Sequence, residues 1–476
     1  MGCVVVTAVA APDVTRRALV VDLDGTLCRT DTLWETLFVA WRHAWWLPLV
    51  LPWWLVQGRS VLKARLAARA LPDIATLPWN EVVVAALRTA RAEGRPTVLA
   101  TAADARVAEA CAAALGLFDR VFASTATHNL KAGAKAAALV AAFGEQGFDY
   151  IGDSRADLAV WPHAAQRYSV GRCLPAGGER LAAAPREGGV SAWLRLIRVR
   201  HWVKNVLVFV APAAAHEWNS PTAWQAATLT FAAFCAVCSA IYIVNDLFDL
   251  GADRRHPSKR ARPLAAGELP LARAAAFALV LLAVGAVLAW SAGVWVSLAL
   301  GVYVLINAFY TGVLKRYPVY DVFCLAVLYT LRIAAGALAV GVALSAWLAA
   351  FSVFAFLSLA LLKRAADLGR LGADEVLPAR GYRGRDSAFV QGFGLGSAIA
   401  ASLVLALYAA SDQVSTLYAQ PLWLWGAVGV VLFWLARMWQ RAMVGTMDDD
   451  PVLFATTDAV SWGCALAVAV CVALAV

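Results

Sequence analysis

Two groups of acidic residues in this chain are spaced for phosphate chemistry. The first is Asn245-Asp246-x-x-Asp249-x-x-x-Asp253, and a basic run, Arg254-Arg255-His256-Pro257-x-Lys259-Arg260-x-Arg262-Pro263, follows it without a gap. Asn245, Asp249 and Asp253 recur every fourth residue, so on a helix they share one face. Carboxylates crowded at a membrane boundary repel one another and are costly unless a cation joins them. Magnesium suits such a set, because it takes carboxylate oxygens and fills its remaining sites with phosphate oxygens. The Arg and Lys residues behind supply donors for further phosphate oxygens. The stretch reads as a magnesium–diphosphate site at the mouth of a membrane bundle. A solvated charged loop is the plainer alternative, and helical register followed by a switch of sign argues against it.

The second group lies near the N-terminus. Ala18–Leu23 is an apolar strand candidate running into Asp22-Leu-Asp24-Gly-Thr26. Strand alternation points Asp22 and Asp24 to the same side, and Gly25 permits a sharp turn there. Val98–Ala100 leads into Thr101, a helix candidate carries Lys131 and Lys135, and Phe148–Ile151 leads into Gly152-Asp153-Ser154-Arg155-Ala156-Asp157. This set fits phosphoryl transfer through an aspartyl phosphate. One carboxylate attacks phosphorus, and a second protonates the leaving alkoxide and later activates water. A hydroxyl and a Lys hold phosphoryl oxygens, and further acids complete a magnesium site. Strands alternating with helices predict a parallel sheet with these polar residues at its carboxyl edge.

The elements that must position the first group are of another kind. The chain has 476 residues, 61% hydrophobic and 15% charged. Up to about Pro185 it is mixed in character; from about Ser191 it is a series of long apolar runs between short charged loops. That is a soluble domain followed by a polytopic membrane domain. Nine spans are expected: Val203–Ala215, Thr222–Val244, Leu271–Trp290, Val294–Thr311, Asp321–Val340, Trp347–Leu362, Ser387–Ala409, Pro421–Leu435 and Thr457–Val476. The basic loops alternate with loops that contain no Lys or Arg. The net charge of +9 therefore reads as orientation bias rather than a nucleic-acid surface, and it places the acidic motif and the soluble domain on the cytoplasmic side of a bacterial inner membrane. Twenty Trp suit interfacial belts. Asp321 opens the fifth span and Arg332 lies within it; such residues usually face a polar cavity. Arg332 is read as an anion ligand, with a structural ion pair as the alternative. Cys235 and Cys238, inside an apolar span, read as helix packing rather than as a metal or redox site, and the scattered cysteines suggest a reducing compartment. No cleaved signal is expected from the first residues; Gly2-Cys3 only hints at lipidation.

The residues from about Trp193 onward carry a resemblance. The asparagine–aspartate motif, the segment Arg262 to Leu269, the Tyr310-x-x-x-x-Lys315 pair and the span count resemble the UbiA-type prenyltransferase superfamily. Within it, His201 to Asn205, Asp253 to Pro263 and the Gly381-Tyr382-Arg383 loop look most like the polyprenyl-phosphate phosphoribosyltransferase branch. Aromatic prenyltransferases of the superfamily have a second D-x-x-x-D motif; here Asp321 is followed four residues on by Leu325. The resemblance implies a reaction between phosphoribosyl diphosphate and polyprenyl (decaprenyl) phosphate. It implies that Asn245, Asp249 and Asp253, with Asp246 beside them, hold magnesium diphosphate. Lys259 and Arg262 become candidates for the ribose 5-phosphate, and Lys204, Lys315 and Arg332 for the lipid phosphate or the diphosphate. Tyr310 and Asp321 complete the expected substrate-binding set. The N-terminal part, about Arg17 to Pro175, resembles the haloacid dehalogenase superfamily. That resemblance makes Asp22 the nucleophile and Asp24 the acid/base, gives Thr101 and Lys135 (Lys131 as the other candidate) the phosphoryl group, and puts magnesium on Asp22, Asp24, Asp153 and Asp157. A degenerate domain without activity is the alternative.

The expected architecture is an α/β Rossmann-like hydrolase domain over residues 1–180 with a helical cap at about 31–95, a Gly-, Ala- and Pro-rich linker at 181–192, and an all-α membrane bundle over 193–476. The cap contains Trp41, Trp45, Trp46, Trp53 and Trp54 in a Pro-interrupted apolar run. It reads either as a packed cap core or as an element inserted in the membrane interface. Two sites on one membrane face suggest consecutive steps: the membrane domain makes polyprenyl-phosphoryl-5-phosphoribose and the soluble domain removes its 5-phosphate. The alternatives are prenylation of an aromatic or other acceptor beside an independent phosphatase, and a non-enzymatic lipid transporter or scaffold. A homo-oligomer is compatible with the sequence.

Overall fold

The computed structural model describes residues 16–181, 188–217, 219–377, 380–447 and 450–476. Gly2-Cys3 and the middle of the linker lie outside the described residues. The chain divides into two compact units, Met1–Ile197 with Ser239–Leu279, and Arg198–Cys238 with Val280–Val476. The acidic motif thus belongs to the same unit as the α/β domain, a grouping the sequence reading does not anticipate.

In the first unit, six parallel strands run in the order β3-β2-β1-β4-β5-β6. They are β1 (Ala18–Val21), β2 (Thr97–Asp104), β3 (Arg120–Ser124), β4 (Phe148–Gly152), β5 (Arg167–Ser169) and β6 (Glu179–Arg180). β1 is buried along its whole length, as a central parallel strand with both faces covered must be. Its alternation splits the core in two: Leu19 and Val21 join Leu99, Val107 and Cys111 on one face, Ala18 and Val20 join Val98, Leu139 and Trp161 on the other. The strand order reverses beside β1, and a parallel sheet opens a ligand crevice at such a point.

Six helices accompany the sheet: α1 (Thr32–His43), α2 (Leu47–Val56), α3 (Arg59–Ala67), α4 (Glu81–Ala92), α5 (Ala105–Leu115) and α6 (Gly133–Phe143). α1 to α3 form the cap around Ala40, Leu47, Trp54 and Leu66. α4, counted with the cap in the sequence reading, instead packs Val83, Val84, Leu87 and Ala90 into the sheet core. The Trp-rich run divides: Trp54 is buried under Arg65 and Arg69, whereas Trp45, Leu49, Trp53 and Val56 are exposed.

The helical part is a multi-pass membrane region. Among the described residues, six helices are long and apolar enough to cross a membrane, or seven if the bent pair Pro451–Thr457 and Ala459–Ala475 is one span. The nine expected spans are therefore matched only in part. The first is a 3-10 helix, Val199–Phe209, followed by the short helix Val210–Ala214. The eighth is a helix of 21 residues, Trp423–Met443, whose Trp residues, Arg437 and Arg441 lower its hydropathy. Within the second unit, helices approach closely at small residues. A Cβ at Gly394 would lie 2.2 Å from the Trp439 ring; Ser358 donates to the Gly394 carbonyl and accepts from Trp439 Nε1, both at 2.9 Å.

Candidate active sites

The carboxyl ends of β1 and β4 bring Asp22, Asp153 and Asp157 together, with one oxygen of each within 4.8 Å of the others. Asp22 follows β1 directly, and Asp153 and Asp157 follow β4 on a turn capped by Ser154. Among the described residues this is the one group of three carboxylates so arranged. Lys135, buried on α6, places its Nζ 2.8 Å from Asp22 Oδ1, 3.4 Å from Asp157 Oδ1 and 2.9 Å from the Tyr150 hydroxyl. Tyr150 in turn donates to Asp157 Oδ1 at 2.7 Å. Three carboxylates against one ammonium leave negative charge uncompensated. Burial first, then Asp22 and Asp157, lift Asp153 to about 8. Burial raises Asp22 too, with Lys135 opposing it. Burial pulls Lys135 down, and Asp22 and Asp157 outweigh it and hold it above the ordinary lysine value. Hard oxygen donors at this spacing, short of positive charge, fit a magnesium ion.

Asp24 does not join that trio. Its Oδ1 accepts from the Thr32 N–H at 2.7 Å, at the start of α1. Burial first, then Asp31, lift it to about 7, so a proton is available there near neutral pH. The turn between Asp22 and Asp24 needs glycine: Gly25 has φ +80°, and a Cβ on it would fall 2.3 Å from Asp153 Oδ2. Thr101 is buried on β2 and its hydroxyl accepts from the Ala103 N–H at 3.0 Å. Asp22, Asp24, Thr101, Lys131 and Lys135 all line one cavity of about 880 Å³ beneath the cap. Lys135 contacts the carboxylates directly; Lys131 is exposed at the cavity wall. The sequence reading misses Tyr150 and the cap residue Lys63, which donates to the Ala102 carbonyl at 2.6 Å. A lone Tyr in an apolar strand and a Lys on an amphipathic helix carry no spacing signal.

The acidic motif lies at the end of the long helix Pro221–Phe248 and on the short helix Leu250–Arg255. The chain bends at Asp249, but Asp249 N–H still donates to Asn245 O at 3.0 Å and Asp253 N–H to Asp249 O at 2.8 Å. The four-residue register therefore runs through the bend. Asp246 and Asp253 are buried and share Arg262, whose Nη1 is 3.1 and 2.6 Å from them. Arg262, expected on a phosphate, here serves as the counter-ion of the acids, while Lys259 is exposed. The basic run also faces the α/β domain. Arg254 holds Glu35 of α1 through bonds of 2.6 and 3.2 Å, Arg255 pairs with Asp73, and Phe248 meets the rings of Phe38 and Trp41 edge-on.

Several polar clusters lie in the second unit. Arg332, buried, donates to Asn205 Oδ1 at 2.9 Å, Leu328 O at 2.7 Å and the Tyr303 hydroxyl at 2.8 Å, and lies over the rings of Tyr303 and Tyr329. Cys235 and Cys238, both free thiols, pack against Asn205, and Cys238 also meets Tyr303. Lys204 pairs with Asp450. Asp321, expected to bind substrate, is fully buried with one oxygen on Arg364 Nε at 2.8 Å and the other on the Tyr382 hydroxyl at 2.7 Å. That geometry is a closed structural ion pair, and it explains why no second acidic residue is needed beside it. Tyr310 accepts from Arg380; Lys315 is half-buried on the following turn.

Comparison with known proteins finds two families along the chain. The UbiA prenyltransferase family model matches residues 206–457, and that of haloacid dehalogenase-like hydrolases matches residues 19–161. The uncharacterized protein y4nM of Sinorhizobium fredii is 37% identical over 93% of this chain and 88% of its own length. Nodulation protein NoeC of Azorhizobium caulinodans is 37% identical over 57% of this chain and 89% of its own. The decaprenyl-phosphate phosphoribosyltransferase of Corynebacterium glutamicum is 34% identical over 61% of this chain and 89% of its own. Among solved structures, a UbiA homolog from Archaeoglobus fulgidus bound to GPP and Mg2+ covers 60% of this chain and 98% of its own, with 16% identity and a TM-score of 0.46. The chain belongs to the UbiA prenyltransferase family and carries, ahead of that segment, a haloacid dehalogenase-like hydrolase domain.

Proposed function

We propose that this chain is a bifunctional enzyme that makes polyprenyl-phosphoryl-ribose in two steps. In the first, an oxygen of polyprenyl phosphate attacks the anomeric carbon of phosphoribosyl diphosphate, the bond to diphosphate breaks, and diphosphate leaves. The lipid phosphate is already anionic, so no strong base is required. Asn245, Asp249 and Asp253, with Asp246, would hold magnesium diphosphate; Lys259 and Arg262 would take the ribose 5-phosphate. Lys204, Lys315 and Arg332 are assigned to the anionic substrates, and Tyr310 to their positioning. Both reactions occur on the cytoplasmic face of a bacterial inner membrane, with nine crossings in all.

In the second step Asp22 attacks the 5-phosphate phosphorus, the bond to the ribose 5-oxygen breaks, and Asp24 gives that oxygen its proton. Water, deprotonated by Asp24, then releases inorganic phosphate from Asp22. Lys135 and Thr101 hold phosphoryl oxygens. Asp22, Asp153 and Asp157 would hold a magnesium ion, which would supply positive charge to those oxygens. The exposed Trp45, Trp53 and Val56 of the cap would lie in the membrane interface and keep this site at its lipid substrate.

The observation that carries this reading is a pairing in one chain: Asp22, Asp24 and Lys135 lining one cavity of a haloacid dehalogenase-like domain, and a segment 34% identical to a decaprenyl-phosphate phosphoribosyltransferase. Purified protein given phosphoribosyl diphosphate and polyprenyl phosphate is expected to release diphosphate and inorganic phosphate. Asp22→Asn should stop inorganic phosphate alone, and Asp249→Ala should stop both. No diphosphate release from wild-type protein would remove the first step; unchanged phosphate release from Asp22→Asn would remove the second.

A further inference from the structure

The cavity beneath the cap is lined by four cations, Arg59, Lys63, Lys131 and Lys135, and by four carboxylates, Asp22, Asp24, Asp31 and Asp104. Asp22, Lys135 and Thr101 lie at its floor, where the monoester is served. Beyond them are three further cations: Arg59 and Lys63 on α3, and Lys131 ahead of α6. Arg59 and Lys63 are four residues apart, on one face of the helix. Lys63 Nζ is fixed 2.6 Å from the carbonyl of Ala102, the residue after Thr101, so this cap ammonium is poised directly over the phosphoryl-binding segment. Lys63 interacts electrostatically with Arg59 and Lys131 and, on the acidic side, with Asp24 and Asp31. Both acids have an oxygen engaged in backbone bonds at the start of α1, Asp24 with Thr32 N–H at 2.7 Å and Asp31 with Leu33 N–H at 2.9 Å. Arg59 and Lys131 are exposed at the cavity wall and Lys63 is half-buried; burial disfavours the Lys63 ammonium, and an anion bound against it would offset that cost. The rest of this wall is apolar, from Leu51, Pro52 and Leu55 of α2, and the same helix exposes Leu49, Trp53 and Val56 outward.

We propose that Lys63, with Arg59 and Lys131, binds a second anionic group of the substrate, a phosphodiester, while an apolar chain attached to that group runs along Leu51, Pro52 and Leu55. The inference rests on the reading of this domain as the 5-phosphatase of a ribosyl lipid and names what that site selects: a monoester and a diester on one sugar, followed by a tail. Lys63 is a specificity residue here; it takes no part in breaking the ester bond.

Two synthetic substrates test it with the full-length protein in detergent: ribose 5-phosphate carrying a geranyl phosphodiester at C1, and ribose 5-phosphate carrying geranyl at C1 through a neutral glycosidic oxygen. The quantity read is the ratio of kcat/KM for the two. A charge-assisted contact predicts that wild type prefers the diester by roughly 10- to 100-fold. Lys63→Met should bring the ratio to near unity, chiefly through KM for the diester, and Lys63→Arg should restore most of it. A ratio unchanged in Lys63→Met, or an equal loss on both substrates as expected if Lys63 merely latches the cap to Ala102, overturns the subsite. Hydrolysis of neither substrate by wild type overturns the 5-phosphatase reading, and the subsite falls with it.

Discussion

Replacing Arg254 by Met asks whether the acidic-motif segment is a structural partner of the hydrolase domain. Arg254 grips Glu35 through bonds of 2.6 and 3.2 Å, and its Nε donates to Ala265 O at 2.9 Å. The two side chains are 7% and 4% exposed, so water cannot take the place of a missing partner. Removing one charge of such a pair strands the other and costs about 3–5 kcal/mol, whereas replacing both with neutral groups costs far less. For a domain of about 150–250 residues each kcal/mol shifts the melting temperature by roughly 2–4 °C. Arg254→Met is therefore expected to lower the Tm of the first unit by roughly 6–20 °C, and Glu35→Gln combined with it to recover at least half of the loss. The effect should reach chemistry, because Glu35 lies on α1, whose Thr32 N–H holds Asp24 at 2.7 Å. Phosphatase kcat should fall with Arg254→Met and recover in the double variant. Thermal unfolding of the full chain in detergent, with hydrogen exchange of the α1 amides, measures the cycle. A coupling energy below about 0.5 kcal/mol, the level at which independent sites simply add, would refute the reasoning.

Other outcomes follow from the same geometry. Gly25→Ala, which forces a Cβ to 2.3 Å from Asp153 Oδ2 at a φ of +80°, should cost about 1–2 kcal/mol in backbone strain and abolish phosphate release; retained phosphatase activity would show that Asp153 need not stay where it is. Burial and then Asp31 hold Asp24 at about 7, so Asp31→Asn should move the alkaline limb of the phosphatase pH profile to lower pH, where Asp24 now loses its proton. An unmoved limb would separate Asp24 from that role. Asp153 is raised from 3.8 to about 8 without metal; the unfolded chain gives up this proton first, so the metal-free protein loses stability as pH rises between those two values. Magnesium needs the carboxylate form, and at pH 6 freeing it costs two pH units, about 2.7 kcal/mol. Added magnesium should raise Tm clearly more at pH 8 than at pH 6, and equal shifts would count against Asp153 as a ligand.

What the sequence discloses here is chemistry held in short segments. Asp22-x-Asp24 and Asp153-x-x-x-Asp157 each sit at a strand end, so strand alternation and a turn suffice to aim them. The parallel sheet is legible for the same reason: β1, β2 and β4 are apolar runs separated by helical patterns. Residues that act across long separations leave no such trace. Nothing near Glu35 points to Arg254, and nothing near Asp321 points to Arg364 or Tyr382, because an ion pair imposes no local spacing. The span count suffers from a different cause. Hydropathy counts apolar residues, but Val199–Phe209 winds into a 3-10 helix and ends at a short α-helical turn with Pro212 inside it. Amphipathic Trp423–Met443 keeps its helix while losing mean hydropathy to Trp and Arg.

The local sum of charge separates the clusters that hold ligands from those that hold helices. Asp321, Arg364 and Tyr382 leave no carboxylate oxygen of Asp321 unsatisfied; a site so closed gains nothing from a ligand and loses a buried pair if one intrudes. Asp22, Asp153 and Asp157 gather around the Lys135 ammonium, and Asp246 and Asp253 are both held by Arg262, with Asp249 in register between them. Three carboxylates against one ammonium in the first set favour a divalent cation there. In the second unit Lys204 pairs with Asp450, and Lys363 also acts on that carboxylate. The interaction between unit charges grows several-fold as the surroundings become less polar, so a surplus of one charge in a membrane bundle is a stronger pointer to a ligand than the same surplus on a wet surface. On this criterion Asp321, with both carboxylate oxygens engaged inside the bundle, holds helices rather than a ligand.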